Sequence, residues 1–145
     1  MDKGIYCLVL KNPGRIIRVG ARGDLTFRRG WHIYVGSALG SAGLQRLCRH
    51  ISLAHLRDKR PKWHIDYLLT NSDFSLRYAV YSVTSDRLEC GLARELNHGG
   101  IPRFGCSDCG CISHLFYRRQ NPQEEILAAF RHIRLEPVTK TIMNP

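Results

Sequence analysis

The chain lacks a long hydrophobic run. No apolar stretch approaches the roughly 20 residues that a membrane-spanning helix needs. Residues 4–10 already form a strand-like run, and nothing before them resembles a signal peptide. We therefore expect no membrane partner and a cytoplasmic protein. Without an export signal, the six cysteines are expected to be reduced thiols or metal ligands rather than a disulfide framework.

Acidic residues are scarce. The chain has 12 Asp and Glu against 22 Lys and Arg, a formal net charge of +10. A net positive charge of this size attracts polyanions, and the phosphate backbone of nucleic acid is the commonest polyanion in a cell. DNA or RNA is thus the favoured partner. The alternative is a solvated basic surface without a dedicated partner.

Internal repeats, low-complexity tracts and linkers are also missing from the 145 residues. The hydrophobic fraction of 43% and the charged fraction of 23% are ordinary for a globular protein. The length suits one domain and is short for two. We expect a single domain over residues 1–145.

The first third of the chain has the pattern of β-strands. Apolar, β-branched residues predict a strand over residues 4–11, which ends at the turn signal Asn12-Pro13-Gly14, and a second strand over residues 16–19. Residues 25–27 and 31–35 resemble a further hairpin. The domain is therefore predicted to begin with an antiparallel β unit.

Helices follow, mixed with single strands. After Gly40, Ser41 is predicted to cap a helix whose buried stripe is Leu44, Leu47, Cys48 and Ile51. A strand over residues 75–84 would place Leu76, Tyr78, Val80 and Ser82 on one face. The later elements are predicted as a helix over 87–96, a strand over 113–118 and a helix over 122–133. This order of strands and helices predicts an α+β domain.

Two groups of polar residues could carry chemistry. Arg46 and His50 are four residues apart and share a helix face, which we expect to be exposed. There they could grip a phosphate and move a proton, or form an ordinary solvated face. Glu89 and Glu95 lie at opposite edges of the buried stripe of the later helix, where either carboxylate could bind Mg²⁺. Periodicity does not choose between them.

Cysteine and histidine form one more cluster, Cys106-x-x-Cys109-x-Cys111-x-x-His114. Thiolate and imidazole are ligands that suit Zn²⁺. The short step from Cys109 to Cys111 fits a four-ligand zinc site poorly. Reduced thiols packed around a glycine-rich loop are therefore favoured over structural zinc.

A family resemblance adds to these patterns. Gly4-Ile5-Tyr6 together with Tyr34-Val35-Gly36 resembles the two-part signature of the GIY-YIG nuclease superfamily, and the downstream order Arg46, His50, glutamate strengthens it. Residues 91–95 and 101–104 are similar to the end of the nuclease core in bacterial excision-repair incision proteins, which selects Glu95. The branch known as domain of unknown function 123 is the most similar, through Tyr34-Val35-Gly36-Ser37-Ala38, Arg49-His50, Trp63-His64-Ile65-Asp66-Tyr67 and Ser107-Asp108-Cys109.

The resemblance implies a fold as well. It covers about residues 4–117 and implies a small central antiparallel β-sheet flanked by helices. The 27 residues between Tyr6 and Tyr34 imply an extra hairpin. Ser37 stands where some relatives carry a lysine, and Ser107 or Asp108 replaces an asparagine that ends the motif in many of them.

The implied activity is a metal-dependent DNA endonuclease acting in DNA repair or processing. By the resemblance, Glu95 holds one Mg²⁺ or Mn²⁺, and Tyr6 or His50 activates water. Arg46 neutralises the phosphate, and Tyr34 orients Tyr6. The basic residues expected to follow the DNA backbone are Arg28, Arg29, Arg49, Arg57, Lys59, Arg60 and Lys62. The alternative is a noncatalytic nucleic-acid-binding module of the same fold. A core this small leaves substrate specificity to a partner protein or a homodimer.

Overall fold

The structure is a computed structural model that describes residues 2–104 and 113–142. Seven strands and four α-helices are found in these ranges. In chain order they are β1 (Gly4–Asn12), β2 (Arg15–Arg18), β3 (Asp24–Phe27), β4 (Gly30–Ala38), α1 (Gln45–Leu56), α2 (His64–Leu69), β5 (Ser75–Val83), α3 (Glu89–Leu96), β6 (Leu115–Arg118), α4 (Gln123–His132) and β7 (Val138–Thr141). A single 3-10 turn, Gly20–Arg22, separates β2 from β3.

Five strands form one antiparallel sheet in the order β6-β4-β1-β5-β7. The central strand β1 is the apolar run near the N-terminus, and its residues from Gly4 to Leu10 are all buried. A strand buried on both faces needs no alternation of polar and apolar residues, which explains its continuous hydrophobicity. The α+β prediction is confirmed.

Helices cover both faces of the sheet and create two hydrophobic cores. Tyr6, Leu8 and Leu10 of β1 point into the core shared with α1, α2 and the β2–β3 hairpin. The alternate residues of β1, such as Cys7 and Val9, point into the core shared with α3 and α4. Alternate side chains of a strand point to opposite faces of the sheet. We call the side with α1 and α2 the front layer and the side with α3 and α4 the back layer.

The β2–β3 hairpin is the predicted extra hairpin between the two signature tyrosines. It forms its own two-stranded sheet, in which Ile16 pairs with Thr26 and Arg18 with Asp24. The prediction that residues 25–27 pair with residues 31–35 was wrong, because β4 pairs with β1 along its whole length. A nine-residue β1 offers a longer partner than the four residues of β3.

Three local expectations need correction. The register between β1 and β5 shifts between Val9 and Leu10, so Leu76 lies in the front core whereas Tyr78 and Val80 lie in the back core. Ser41 does not cap α1, which begins at Gln45 after a turn. Strand β7 was not predicted, since all four of its residues are exposed and carry no burial pattern.

In the described part of the chain, no helix is long and apolar enough to cross a membrane.

Candidate functional site

A polar cavity of about 390 Å³ opens on the front layer, where β1, β4, α1 and the start of α2 meet the first turn of α3. It is lined by Tyr6, Tyr34, Gly36, Ser37, Arg46, His50, Lys62, Trp63, His64 and Glu89. The two signature tyrosines, the arginine and the histidine singled out from the sequence are therefore brought together. The tyrosines come from β1 and β4, which are paired in the sheet, and the arginine and histidine come from α1, which packs against it.

Gly36 makes room for the Tyr6 ring. The two residues are paired across β1 and β4. A Cβ added at Gly36 would lie 2.5 Å from Cζ and 2.6 Å from the hydroxyl oxygen of Tyr6, closer than such atoms can approach. The two halves of the sequence signature are thus coupled sterically, because the glycine of the second half permits the tyrosine of the first half to lie over its strand.

Tyr6 and His50 form a buried hydrogen-bonded pair. The hydroxyl oxygen of Tyr6 lies 2.8 Å from Nε2 of His50, and both side chains are 1% exposed. Burial raises the pKa of the Tyr6 phenol well above its usual value, helped by the nearby Tyr34. Burial also lowers the pKa of His50 to about 4. At pH 7 the imidazole is therefore neutral, and the phenol can donate its proton to Nε2.

The burial of His50 corrects the sequence prediction that it shares an exposed face with Arg46. The buried side of α1 consists of Leu47, His50 and Leu53, while Cys48 is exposed. A helix face is set by the surface that it packs against, and here that surface contains the Tyr6 and Trp63 rings. Arg46, one turn earlier, reaches the cavity from an exposed position.

Buried neutral histidines should make the fold sensitive to acid. His32 and His50 both have a pKa lowered to about 4 by burial, whereas an unfolded histidine titrates near 6.5. Between these values the unfolded chain binds protons that the folded chain does not, so stability falls as the pH falls from about 6.5 towards 4. We expect each histidine to contribute a loss of roughly 3 kcal/mol over that range.

Urea unfolding at several pH values measures this loss. The titratable and charged groups facing His50 are Tyr6, Asp66, Arg49 and Arg46. His50→Gln should flatten the pH dependence, whereas His55→Gln, at an exposed position of the same helix, should keep it. Equal pH dependence in the wild type and His50→Gln would contradict the assignment.

Three cations gather at Trp63. Cζ of Arg49 lies 4.3 Å and Cζ of Arg46 4.7 Å from the indole ring, and Nζ of Lys62 lies at 5.6 Å. Cation–π attraction favours this arrangement. Arg46 is held a second time, because its Nη1 donates to the carbonyl oxygen of Ser37 at 3.0 Å. The mouth of the cavity is consequently electropositive and suited to a phosphate group.

Asp66 fixes this cationic group in place. Its fully buried carboxylate accepts the backbone N–H groups of Lys62 and Trp63 at 2.8 and 3.0 Å, which stabilises the start of α2. The same oxygen lies 4.0 Å from Nη2 of Arg49. Asp66 was seen in the sequence only as part of a family resemblance, and Trp63 also as an aromatic residue that could stack on bases or pack in the core. Their positioning role depends on the turn before α2, which periodicity does not predict.

The carboxylate of the cavity is Glu89, so the placement of Glu95 in the site was wrong. Glu89 stands in the first turn of α3, where one of its oxygens accepts the Ser37 hydroxyl at 2.9 Å and the other lies 3.0 Å from Nδ1 of His114. Glu95 lies near the other end of α3 and contacts His132 of α4 at 3.3 Å in the back layer. It is not part of the described cavity wall.

The packing of α3 explains why Glu89, rather than Glu95, reaches the cavity. Counting from Glu89, the positions i+3, i+4 and i+7 are Leu92, Ala93 and Leu96, and all three are buried. Glu89 therefore continues the buried stripe into the first turn of α3, where it contacts Ser37 of β4. From Glu95, only Leu92 stands at such a spacing on the N-terminal side, because Gly91 and Leu88 are only partly buried.

Most of the predicted zinc cluster, namely Cys106, Cys109 and Cys111, lies outside the described residues, as do Ser107 and Asp108. His114 is described. Its Nδ1 faces Glu89, and its Nε2 lies 3.9 Å from Sγ of Cys90. Cys90 is disulfide-bonded, which corrects the expectation of reduced thiols at this position, whereas Cys7 and Cys48 are free.

The other basic residues predicted to contact the DNA backbone are spread over several parts of the fold. Arg28 and Arg29 are exposed beside β6, with Arg28 4.9 Å from the Tyr117 ring. Lys59 and Arg60 are exposed between α1 and α2. Arg57 ends α1 in a left-handed conformation and donates to the Phe74 carbonyl, which is a structural role. Only Arg49 and Lys62 of this group stand beside the cavity.

The donors of the cavity fit a magnesium-like ion better than zinc. Within residues 2–104 and 113–142, no three His, Cys, Asp or Glu side chains are grouped as a metal cage. Glu89, 29% exposed at the cavity, offers a single carboxylate. Mg²⁺ commonly takes one or two protein carboxylates and keeps water and phosphate oxygens as its other ligands.

Comparison with known proteins gives one match. The family model described as Domain of unknown function DUF123 matches residues 5–135, most of the chain. The search of curated proteins gives no match. The search of solved structures gives none either.

Proposed function

The chain belongs to the DUF123 family, and we propose that it is a divalent-metal-dependent DNA endonuclease of the GIY-YIG type, with the polar cavity of the front layer as its active site. One observation carries the proposal. Among the described residues, one carboxylate, a guanidinium and a hydrogen-bonded Tyr–His pair line the same 390 Å³ cavity in a strongly basic protein.

The cavity offers phosphate binding on its cationic side. Arg46 is close enough to Tyr6 for its positive charge to oppose the rise in the pKa of the Tyr6 phenol. It would neutralise the negative charge that develops on the phosphoryl oxygens during attack. Arg49 and Lys62, held beside Trp63, would position the neighbouring phosphates of the DNA.

Glu89 would hold the metal ion. A bound Mg²⁺ or Mn²⁺ supplies Lewis-acid stabilisation to the phosphate and to the leaving oxygen. Ser37 and His114 contact the two oxygens of Glu89 and so set the orientation of its carboxylate. Glu89 here takes the role that the resemblance alone assigned to Glu95.

Tyr6 and His50 would act together on the attacking water. The water oxygen forms a bond to phosphorus while the bond to the 3′-oxygen breaks. The water proton passes to the Tyr6 oxygen, and the Tyr6 proton passes to Nε2 of His50, which is neutral at pH 7. Tyr34, whose ring centroid lies 6.4 Å from that of His50, would orient the water from the other side. The leaving 3′-oxygen takes a proton from solvent water, and the products are a 5′-phosphate and a 3′-hydroxyl.

A nicking assay tests the proposal. Supercoiled plasmid, flap and branched DNA are incubated with Mg²⁺, Mn²⁺ or EDTA, and we expect nicks only with a metal ion. Arg46→Ala should lower the rate roughly hundredfold or more, because it removes a preorganised charge at the phosphate. Arg94→Ala removes an exposed arginine on α3, away from the cavity, and should nick at the wild-type rate.

Two outcomes would reject the proposal. Wild-type protein that binds DNA in a salt-dependent manner without metal-dependent cleavage would instead be a noncatalytic binding module. Cleavage of equal rate in the wild type and Arg46→Ala would place the chemistry outside this cavity.

A further inference from the structure

The β2–β3 hairpin is anchored firmly and separately from the main sheet. Ile17, Val19 and Phe27 are buried in the front core. The 3-10 turn at its tip packs on α2, since a Cβ built on Gly20 would lie 3.1 Å from the Tyr67 hydroxyl. The hairpin is therefore a rigid two-stranded ribbon beside the cavity.

The two faces of the ribbon differ in chemistry. Ile17 and Phe27 face the core, so the alternation of the strands turns Ile16, Arg18, Asp24 and Thr26 outward. Ile16 is 68% exposed, the most exposed large hydrophobic residue among those described. Arg18 and Asp24 are 3.6 Å apart and highly exposed, so their ion pair is weak and can be exchanged for other partners.

Arginines stand at both ends of this outward face. Between positions 15 and 29 the chain has five arginines and one aspartate. Arg22 lies at the tip near His64 of the cavity wall, whose pKa it helps to lower. Arg28 and Arg29 are exposed at the other end of the ribbon. The charge suits phosphates on both sides of a groove.

We propose that the β2–β3 hairpin docks in the major groove of duplex DNA, with Ile16, Arg18 and Thr26 facing the base edges and Arg22, Arg28 and Arg29 contacting phosphates. The proposal rests on the proposed function for its DNA substrate. It adds a surface that reads DNA sequence next to a cavity that binds only backbone.

Dimensions and chemistry both favour the major groove of DNA. The two strands of the ribbon lie about 4.8 Å apart, so the ribbon with its side chains fits across a groove that is about 12 Å wide. That groove admits a two-stranded ribbon, whereas the deep, narrow major groove of RNA does not. Its base edges carry hydrogen-bonding groups for Arg18 and Thr26 and the thymine methyl group for Ile16.

Uracil substitution tests the contact with the groove. A fluorescent duplex rich in A·T pairs is compared with the same duplex containing deoxyuridine, which lacks only the methyl group in the major groove. Affinity is measured by fluorescence anisotropy in EDTA, so that no cleavage occurs. We expect the wild type to bind the uracil duplex about fourfold more weakly, the effect of one buried methyl group.

Matched variants assign the effect to Ile16. Ile16→Ser should bind both duplexes equally, and Ile16→Val should restore the discrimination. Val138→Ser, at the exposed strand β7, should discriminate as the wild type does. Arg22→Ala should reduce the slope of log affinity against log salt by about 0.9, whereas Arg131→Ala on α4 should leave the slope unchanged.

Equal wild-type affinity for the two duplexes, or discrimination that persists in Ile16→Ser, would overturn the proposal. Failure of the proposed function gives a different result. In that case the wild type would still discriminate between the duplexes in EDTA, yet it would nick no DNA when Mg²⁺ or Mn²⁺ is added.

Discussion

Glu89→Gln is expected to slow metal-dependent nicking severely. Glutamine preserves the size of the side chain and can still accept the Ser37 hydroxyl, but it removes the negative charge that would hold the ion. Lewis-acid stabilisation is worth several kcal/mol, so the rate should fall by about a hundredfold to a thousandfold. The measurement is the initial rate of plasmid nicking over a range of Mg²⁺ and Mn²⁺ concentrations.

Glu95→Gln is the matched control for this variant. It makes the same chemical change on the same helix, but in the back layer, where Glu95 contacts His132 at an exposed position. We expect wild-type nicking and wild-type metal dependence. The opposite pattern, in which Glu95→Gln is inactive and Glu89→Gln is active, would contradict the site described above.

Gly36→Ala is expected to damage both stability and activity. The new methyl group would meet the Tyr6 ring at 2.5 Å, and the Tyr6 hydroxyl is already hydrogen-bonded to the buried His50. Relief of this overlap requires shifts that typically cost about 1–3 kcal/mol in a packed interior. Displacement of the Tyr6 hydroxyl should also lower the nicking rate, since misplaced catalytic groups lose roughly hundredfold in rate.

A double-mutant comparison isolates the steric cause. In a Tyr6→Ala background the ring is gone, so adding Gly36→Ala should cost no further stability in urea unfolding. Gly40→Ala serves as the control, because a Cβ there would meet nothing within 4 Å. If Gly36→Ala destabilised the Tyr6→Ala protein as much as the wild type, the explanation through the Tyr6 ring would fail.

Much of the fold could be predicted because its signals are local. The continuous apolar run of β1, the turn at Asn12-Pro13-Gly14 and the helical period of α3 and α4 each report on neighbouring residues. Strand β7 carried no such signal, since its residues are exposed. The partner of β4 depends on competition between the adjacent β3 and the distant β1.

The site could be predicted only in part. Tyr6, Tyr34, Arg46 and His50 were recognised by their order along the chain, and all four line the cavity. The choice between Glu89 and Glu95 depended on which end of α3 approaches β4. A helix with two carboxylates at its edges does not reveal this until the sheet order is known.

The contact between Ser37 and Glu89 has a consequence for how substrate and fold affect each other. Glu89 belongs to a helix of the back core, while Arg46 and His50 belong to a helix of the front core, and all three line the cavity at β4. A ligand bound by Glu89 together with Arg46 or His50 would contact both layers at once. Under the proposed function, binding of such a ligand would stabilise the whole domain, so the free energy of unfolding would rise as the cavity fills.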